Sequence, residues 1–175
     1  VNFYGEDINA QEVEAFYKAM DVKGDTTPIS YGLNSKLVRG PDGTLQEEVW
    51  KVGGLYGPAL TECVKWLVKA AEVAENEQQR KAINLLIAYY RTGDLKTWDD
   101  FNVAWVQDTT GTVDFIHGFV EVYNDPLGKR GSFEAIVEVT DPVATKRMVE
   151  VQKNAQWFED HSPLLPQHKK KNVVG

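Results

Sequence analysis

The sequence lacks a pair of cysteines, an excess of basic residues and any long apolar run. Cys63 is the only cysteine, so no internal disulfide can form; this fits a reducing compartment and leads us to expect a cytoplasmic protein. With 19 Lys and Arg against 26 Asp and Glu, the net charge of −7 argues against nucleic acid as a partner. The one basic run, residues 169–171, is typical of a solvated linker. Because no stretch of about 18 apolar residues occurs, we expect no membrane partner either.

The motifs of several enzyme classes are also missing. His117, His161 and His168 do not show the His-Glu-x-x-His spacing that holds zinc on a helix. No glycine-rich loop ends in the Lys-Ser/Thr of a P-loop, and there is no Gly-x-Ser-x-Gly nucleophile elbow. Cys63 has no evident histidine partner and lies at helical spacing with Leu60, which predicts a core residue. The residues alone therefore predict no metal ligand in this chain.

Carboxylates are plentiful, and neighbours in sequence usually point in different directions. We interpret the three adjacent acidic pairs as solvated surface. They are Glu47-Glu48, Asp99-Asp100 and Glu159-Asp160.

The composition that remains, 42% hydrophobic and 26% charged, is that of a globular protein with one good core or two small ones. Asn9 and Glu12 form a capping box that predicts a helix over residues 10–21. The turn at residues 40–43 predicts a hairpin. Apolar residues at helical spacing then predict a long helix from Pro58 and a second over residues 77–91, packed as an antiparallel pair. Only a short helical turn is expected over residues 97–101.

The second half of the chain changes to a period of two. This pattern predicts strands over residues 113–123 and 132–139, joined by a loop rich in Asp, Pro and Gly. A last helix is expected from residue 142 to about 158, followed by a linker whose prolines and charges defeat both periods. The predicted fold class is α+β, with a helical hairpin and further helices packed on an antiparallel sheet or partial barrel.

Ionisable and aromatic residues alternate with apolar ones in the first of these strands. Ile116, Val120 and Val122 are predicted to face the core, with Phe115, His117, Phe119, Glu121 and Tyr123 on the opposite face. Glu121 and Tyr123 are two apart and about 7 Å from each other on one side of the strand. They form either a clamp for an ammonium group and a carbonyl or the polar outer face of a sheet, and periodicity alone favours the second. For His117 a structural role is the expectation.

The exact residue sequence of this region gives information about function that its periodicity does not. "WVQD" at 105–108 and "GFVEVYNDPLGKRGSFEAIV" at 118–137 resemble a segment of the dipeptidyl peptidase III family that reads Trp-[Ile/Val]-Gln-Asp, then Gly-Phe-[Ile/Val]-Glu-x-Tyr-x-Asp-Pro-x-Gly-x-Arg-Gly-x-Phe-Glu. "SYGLNSKLV" at 30–38 and "KVGGLYGPA" at 51–59 resemble bacterial members of the same family. The resemblance covers essentially the whole sequence.

The resemblance implies a two-lobed zinc exopeptidase that removes dipeptides from the N-terminus of oligopeptides. In that family the zinc lies in a mainly helical lobe, and the other lobe contains a β-barrel and supplies strands to the peptide cleft. By this resemblance Glu121 binds the free α-amino group of the substrate. Tyr123, the implied catalytic residue, hydrogen-bonds near the scissile carbonyl and supports the transition state.

The sequence departs from the family in what it does not contain. It has no His-Glu-x-x-Gly-His helix, no second zinc-ligand glutamate and no asparagine-bearing cleft segment. Because it starts without methionine and stops where an apolar pattern resumes, we expect a piece of a longer enzyme that is inactive alone and binds no zinc itself. Residues 1–140 would be part of the substrate-binding lobe, residues 141–160 a helix leading toward the missing zinc lobe, and residues 161–175 a linker. The rival hypothesis is a stand-alone binding or scaffold domain that is not an enzyme.

Overall fold

The computed structural model describes residues 3–173, which divide into two compact units, one ending at Val137 and the other beginning at Glu138. The described residues form six α-helices and two two-stranded antiparallel sheets. The predicted α+β class is therefore confirmed. No helix within residues 3–173 is both long and apolar enough to cross a membrane.

The elements follow one another along the chain with short connections. They are α1 (Ala10–Lys18), β1 (Ser35–Arg39), β2 (Leu45–Val49), α2 (Gly57–Glu72), α3 (Glu77–Thr92), α4 (Leu95–Val106), β3 (Val113–Glu121), β4 (Ser132–Val139), α5 (Pro142–Lys153) and α6 (Ala155–Asp160).

The first sheet is the hairpin that the turn residues predicted. β1 and β2 pair antiparallel with Ser35 opposite Val49, and the amide of Gly40 donates to the Thr44 carbonyl at 2.8 Å. Asp42 accepts hydrogen bonds from the amide and hydroxyl of Thr44, which closes the turn.

Helices α2 and α3 pack together as the predicted helical hairpin. Pro58 lies in the first turn of α2, where its missing N–H costs no hydrogen bond. The Asn76 side chain caps α3 by accepting from the Gln79 amide at 2.7 Å, and Gly93 ends it in the left-handed conformation at φ +73°. Helix α1 begins at the predicted capping box but ends at Lys18, three residues before the predicted end.

The prediction of a mere helical turn over residues 97–101 was wrong. Helix α4 runs for 12 residues, because Asp94 caps its start by accepting from Thr97 and because Trp98, Phe101 and Ala104 recur at helical spacing on its buried side. The segment "VAWV" therefore continues the helix instead of leaving it.

Most of the first unit shares one core between α2, α3, α4 and strand β3. Its largest buried residues include Trp50, Leu60, Leu86, Tyr90, Trp98 and Phe119. A smaller core joins Val13 and Tyr17 of α1 to Leu37 of β1. Cys63 is half-buried beside the main core, and burial raises the pKa of its thiol.

The second unit contains two α-helices where one was predicted, and a short 3₁₀ helix (Pro166–His168) lies in the segment predicted as a linker. Asp141 caps α5 by accepting from the amides of Val143 and Ala144, and Asn154 separates α5 from α6. None of the residues described in this unit is buried. In the segment predicted as a linker, the Lys170 amide donates to Glu159 at 2.7 Å.

Candidate functional site

The two residues of the predicted clamp lie at the end of β3. Glu121 is its last residue and is exposed, and Tyr123 follows two positions later with 74% of its surface exposed. Among the residues that the structure describes, neither side chain has a hydrogen-bond or ion-pair partner. Both side chains are therefore available to a ligand and are not used to stabilise this fold.

The predicted faces of β3 are wrong over its first part. Phe119 is only 4% exposed, whereas Ile116, predicted to face the core, is 38% exposed. The reason is aromatic packing on the odd-numbered side: Phe119 lies 4.8 Å from Trp50 between ring centroids, and Phe115 packs on Phe101. The odd-numbered side is thus core as far as Phe119, and Glu121 and Tyr123 come after the buried part ends.

His117 has a structural role in this core, as expected. Its Nδ1 lies 2.6 Å from the hydroxyl of Tyr90, and its ring lies edge-on to Tyr90 and Phe133. Burial lowers the pKa of His117 below its ordinary value, which favours the neutral imidazole. Burial also raises the pKa of Tyr90, so its phenol stays protonated.

Strand β3 also lies unusually close to α4. A methyl group added at Gly118 would stand 2.5 Å from the Trp98 ring, well inside contact distance. Only glycine permits this approach, so the position of β3 on the helical layer depends on the absence of a side chain at residue 118.

The loop between β3 and β4 is organised by the carboxylate of Asp125. It accepts main-chain hydrogen bonds from Leu127 at 3.0 Å and from Lys129 and Arg130, both at 2.9 Å. Burial alone would raise the pKa of Asp125, but these amides and the Tyr4 hydroxyl hold it below its usual range. The loop is therefore built around an ionised carboxylate.

Arg130 is the residue that the sequence analysis missed. Its side chain is 0% exposed, and its guanidinium donates to the Tyr4 hydroxyl at 3.0 Å and to the Tyr17 hydroxyl while lying over both rings. A Lys-Arg pair in a turn normally indicates solvated surface. The one signal for it was the Arg-Gly of the family pattern.

The hydroxyls of Tyr4 and Tyr17 in turn donate hydrogen bonds to carboxylates. Tyr4 donates to Asp125 at 2.8 Å, and Tyr17 donates to Glu47 at 2.7 Å. Burial raises the pKa of both tyrosines, so they remain donors. We call these five residues (Arg130, Tyr4, Tyr17, Asp125 and Glu47) the Arg130 network. The surface interpretation of Glu47 is therefore wrong, while Glu48 is exposed as predicted.

Of the cavities that β3 lines in the first unit, two lie near its C-terminal end, and Phe119 takes part in both. One, of about 450 Å³, is lined by Val120, Val122 and Lys129 among others. The other, of about 740 Å³, has six aromatic residues in its wall, among them Trp50, Tyr56 and Phe133. Neither is lined by Glu121 or Tyr123, so the clamp faces open solvent here.

A metal site is not assembled by the described residues. Within residues 3–173 no three His, Cys, Asp or Glu side chains are grouped so that they could hold a metal ion. His161 stacks on Trp157, with its Nδ1 at the Trp157 carbonyl, and His117 is engaged by Tyr90. The residues present therefore do not fit a zinc ion, and no step below is assigned to a metal bound by them.

Comparison with known proteins gives a consistent result. The pattern of Peptidase family M49 matches residues 36–172 of the chain. Human dipeptidyl peptidase 3 is 29% identical over 67% of this chain and 16% of its own length. Dipeptidyl peptidase 3 of Dictyostelium discoideum is 26% identical over 92% of this chain and 25% of its own length.

Solved structures agree with this. DPP III from Caldithrix abyssi matches with a TM-score of 0.72 and 26% identity, over 98% of this chain and 31% of that one. Dipeptidyl-peptidase III from Corallococcus sp. strain EGB matches with a TM-score of 0.63 over 97% of this chain and 30% of that one; at 23% identity this likeness shows the fold alone. The chain spans less than a third of each of these relatives.

Proposed function

The chain belongs to peptidase family M49, as the wording of residues 105–137 predicted, and we propose that it is part of a dipeptidyl peptidase III that releases N-terminal dipeptides from oligopeptides. The support is the family match together with relatives that carry this name. A cytoplasmic location stays a prediction.

Within that enzyme, we assign to this chain the recognition of the peptide N-terminus. The carrying observation is that Glu121 is an exposed carboxylate without a partner among the described residues, two positions beyond the buried Phe119 of the same strand. A free ammonium group would neutralise it through a charge-assisted hydrogen bond. Because a dipeptidyl peptidase cleaves at a fixed distance from the peptide N-terminus, holding that terminus sets which bond is cleaved.

Tyr123 takes the second role in the proposal. Strand β3 ends at Glu121, so the strand predicted to reach residue 123 is two residues too long, and Tyr123 lies in the turn that the Asp125 amide closes onto the Val122 carbonyl. Two positions from Glu121, it is assigned the role of donating to a carbonyl oxygen of the bound peptide. Its hydroxyl has no partner among the described residues, so it can donate without breaking a bond of the fold. A bond that strengthens as the carbonyl oxygen gains charge would raise turnover.

We further propose that zinc and its ligands come from another part of the parent chain. Zinc, when bound there, activates the water that attacks the peptide bond. The residues of this chain bind and orient the peptide. On this proposal the chain alone is inactive, and its partners are the oligopeptide and the zinc lobe of the same polypeptide.

The test uses the full-length parent enzyme and a dipeptidyl arylamide substrate. Glu121→Gln removes the charge, so we expect kcat/KM to fall about 10- to 150-fold, mainly through KM, which corresponds to about 1.5 to 3 kcal/mol for a hydrogen bond to a charged group. Tyr123→Phe should act chiefly on kcat.

The matched control is Glu138→Gln, an exposed carboxylate on neighbouring strand β4. It should leave both constants unchanged. A parent protein that releases no dipeptides, or a Glu121→Gln variant with the parent's KM, would contradict the proposed function.

A further inference from the structure

The clamp residues have no restraint of their own. Glu121 and Tyr123 have no side-chain partner among the described residues, so their positions are fixed only by the main chain on either side. On the N-terminal side lies strand β3, in which Phe119 is buried. On the other lies the loop of residues 122–131, which has no regular secondary structure.

Asp125 closes this loop on itself. Its amide donates to the Val122 carbonyl at 3.0 Å, and its own carbonyl accepts from Gly128 at 2.9 Å. Its carboxylate gathers three further amides of the loop. Every turn between residues 122 and 130 is therefore tied to one acidic residue, two positions beyond Tyr123.

Arg130 then fastens the closed loop to two distant segments of the first unit. Tyr4 precedes α1 and bridges Arg130 and Asp125, and Tyr17 belongs to α1 and links Arg130 to Glu47. The fit is close: a methyl group at Gly32 would stand 3.0 Å from the Tyr17 hydroxyl and 3.2 Å from Nη1 of Arg130.

A buried arginine is an expensive way to fasten a loop. No carboxylate of the described residues lies within ion-pair distance of Arg130, and its Nε has no partner among them. Apolar side chains of similar volume would stabilise a fold at least as well. What the arginine adds is direction, because a planar guanidinium between two phenols permits one arrangement of the loop.

We propose that Arg130, Asp125 and Tyr4 are positioning residues, which fix the loop and thereby hold Glu121 and Tyr123 where the peptide N-terminus binds. This inference rests on the proposed function and extends it from contact to pre-organisation. None of the three touches the peptide. They restrict the conformations of Glu121 before the peptide binds, so less conformational entropy is lost on binding.

The experiment is a double-mutant cycle in the full-length enzyme. Tyr4→Phe deletes one hydroxyl and keeps the ring over Arg130, so it loosens the loop with little loss of packing. We expect kcat/KM to fall about 3- to 10-fold in the parent background. In the Glu121→Gln background the same substitution should lower kcat/KM by less than about 2-fold. Without the charge of Glu121, the position of residue 121 no longer affects how tightly the ammonium group is bound.

The control is Tyr31→Phe, a tyrosine whose hydroxyl bonds to none of the described residues; it should leave kcat/KM unchanged in both backgrounds. Thermal unfolding of each variant checks the fold. Should Tyr4→Phe fail to fold, Tyr17→Phe carries the same test, because it deletes the other phenol contact of Arg130.

Equal loss in both backgrounds would mean general destabilisation and would overturn the inference alone. If Glu121→Gln by itself has no effect on kcat/KM, the proposed function fails and the inference fails with it. If Tyr4→Phe lowers kcat/KM only in the enzyme that retains Glu121, the positioning role is supported.

Discussion

His117 and Arg130 illustrate two ways in which a basic side chain can be buried. The imidazole can give up its proton, and burial lowers the pKa of His117, which favours a neutral ring that hydrogen-bonds to Tyr90. A guanidinium stays charged in proteins, so Arg130 needs acceptors around it and obtains two phenols that are themselves bonded to carboxylates. The first solution is sensitive to pH and the second is not.

The pH sensitivity of His117 can be measured on this chain. Because its pKa is lower in the folded than in the unfolded state, the folded protein binds fewer protons, and stability is full above the unfolded pKa and is lost as the pH falls below it. As the pH falls through the ordinary range of a histidine, we therefore expect the free energy of unfolding to fall because of this residue.

The comparison is with His117→Asn, which keeps an acceptor near the Nδ1 position but does not titrate. Urea unfolding at several pH values should give a flatter profile for this variant over the same range. Parallel profiles for the two proteins would show that His117 is not the titrating group.

Single residues were the hardest feature to predict from the sequence. The period of a strand predicted that Glu121 and Tyr123 share one side, but strand β3 ends at Glu121 and Tyr123 lies in the turn that follows. The Arg130 network was not visible, because Tyr4 and Tyr17 lie more than 100 positions from Asp125 and Arg130 and meet them only in the folded chain. Turn chemistry identifies a loop, but does not show what the loop is attached to.

Elements were predicted well wherever period and caps agreed. The hairpin of β1 and β2 and the paired helices α2 and α3 each have both signals, and each is present. Helix α4 was underestimated because its cap, Asp94, stands directly after the glycine that ends α3. The faces of β3 were misassigned because its odd-numbered side is aromatic, and aromatic residues fit either a core or a ligand cleft.

The packing of β3 on α4 gives a test at the level of elements. Gly118→Ala would drive a methyl group into the Trp98 ring, so we expect the free energy of unfolding to fall by about 1 to 3 kcal/mol. Gly57→Ala is the matched control, since the nearest atom to its added methyl would be 3.6 Å away at the start of α2.

Denaturant unfolding of both variants measures the difference. Gly57→Ala should leave stability unchanged or raise it by up to about 1 kcal/mol, because alanine has fewer unfolded conformations to lose. A Gly118→Ala variant as stable as the parent would show that β3 can lie further from the helices than this structure places it.

For the molecule as a whole, the distribution of apolar surface is informative. The side chains of Phe133, Ile136, Val137 and Val139 on β4 are exposed, and the apolar residues of α5 are exposed as well. Exposed apolar residues on a strand are typical of surfaces that pack against further structure. The relatives are about three to six times as long as the part of them that aligns with this chain.

The proposed division of labour between lobes predicts how the chain behaves alone. The 175 residues produced by themselves, with Zn²⁺ added, should release no dipeptide from an arylamide substrate, whereas the full-length enzyme should do so under the same conditions. The reason is that Glu121 and Tyr123 can bind and orient a peptide but cannot activate the attacking water. Zinc-dependent release by the chain alone would show that the metal and its water are supplied within these residues, and the role assigned to the second lobe would then be wrong.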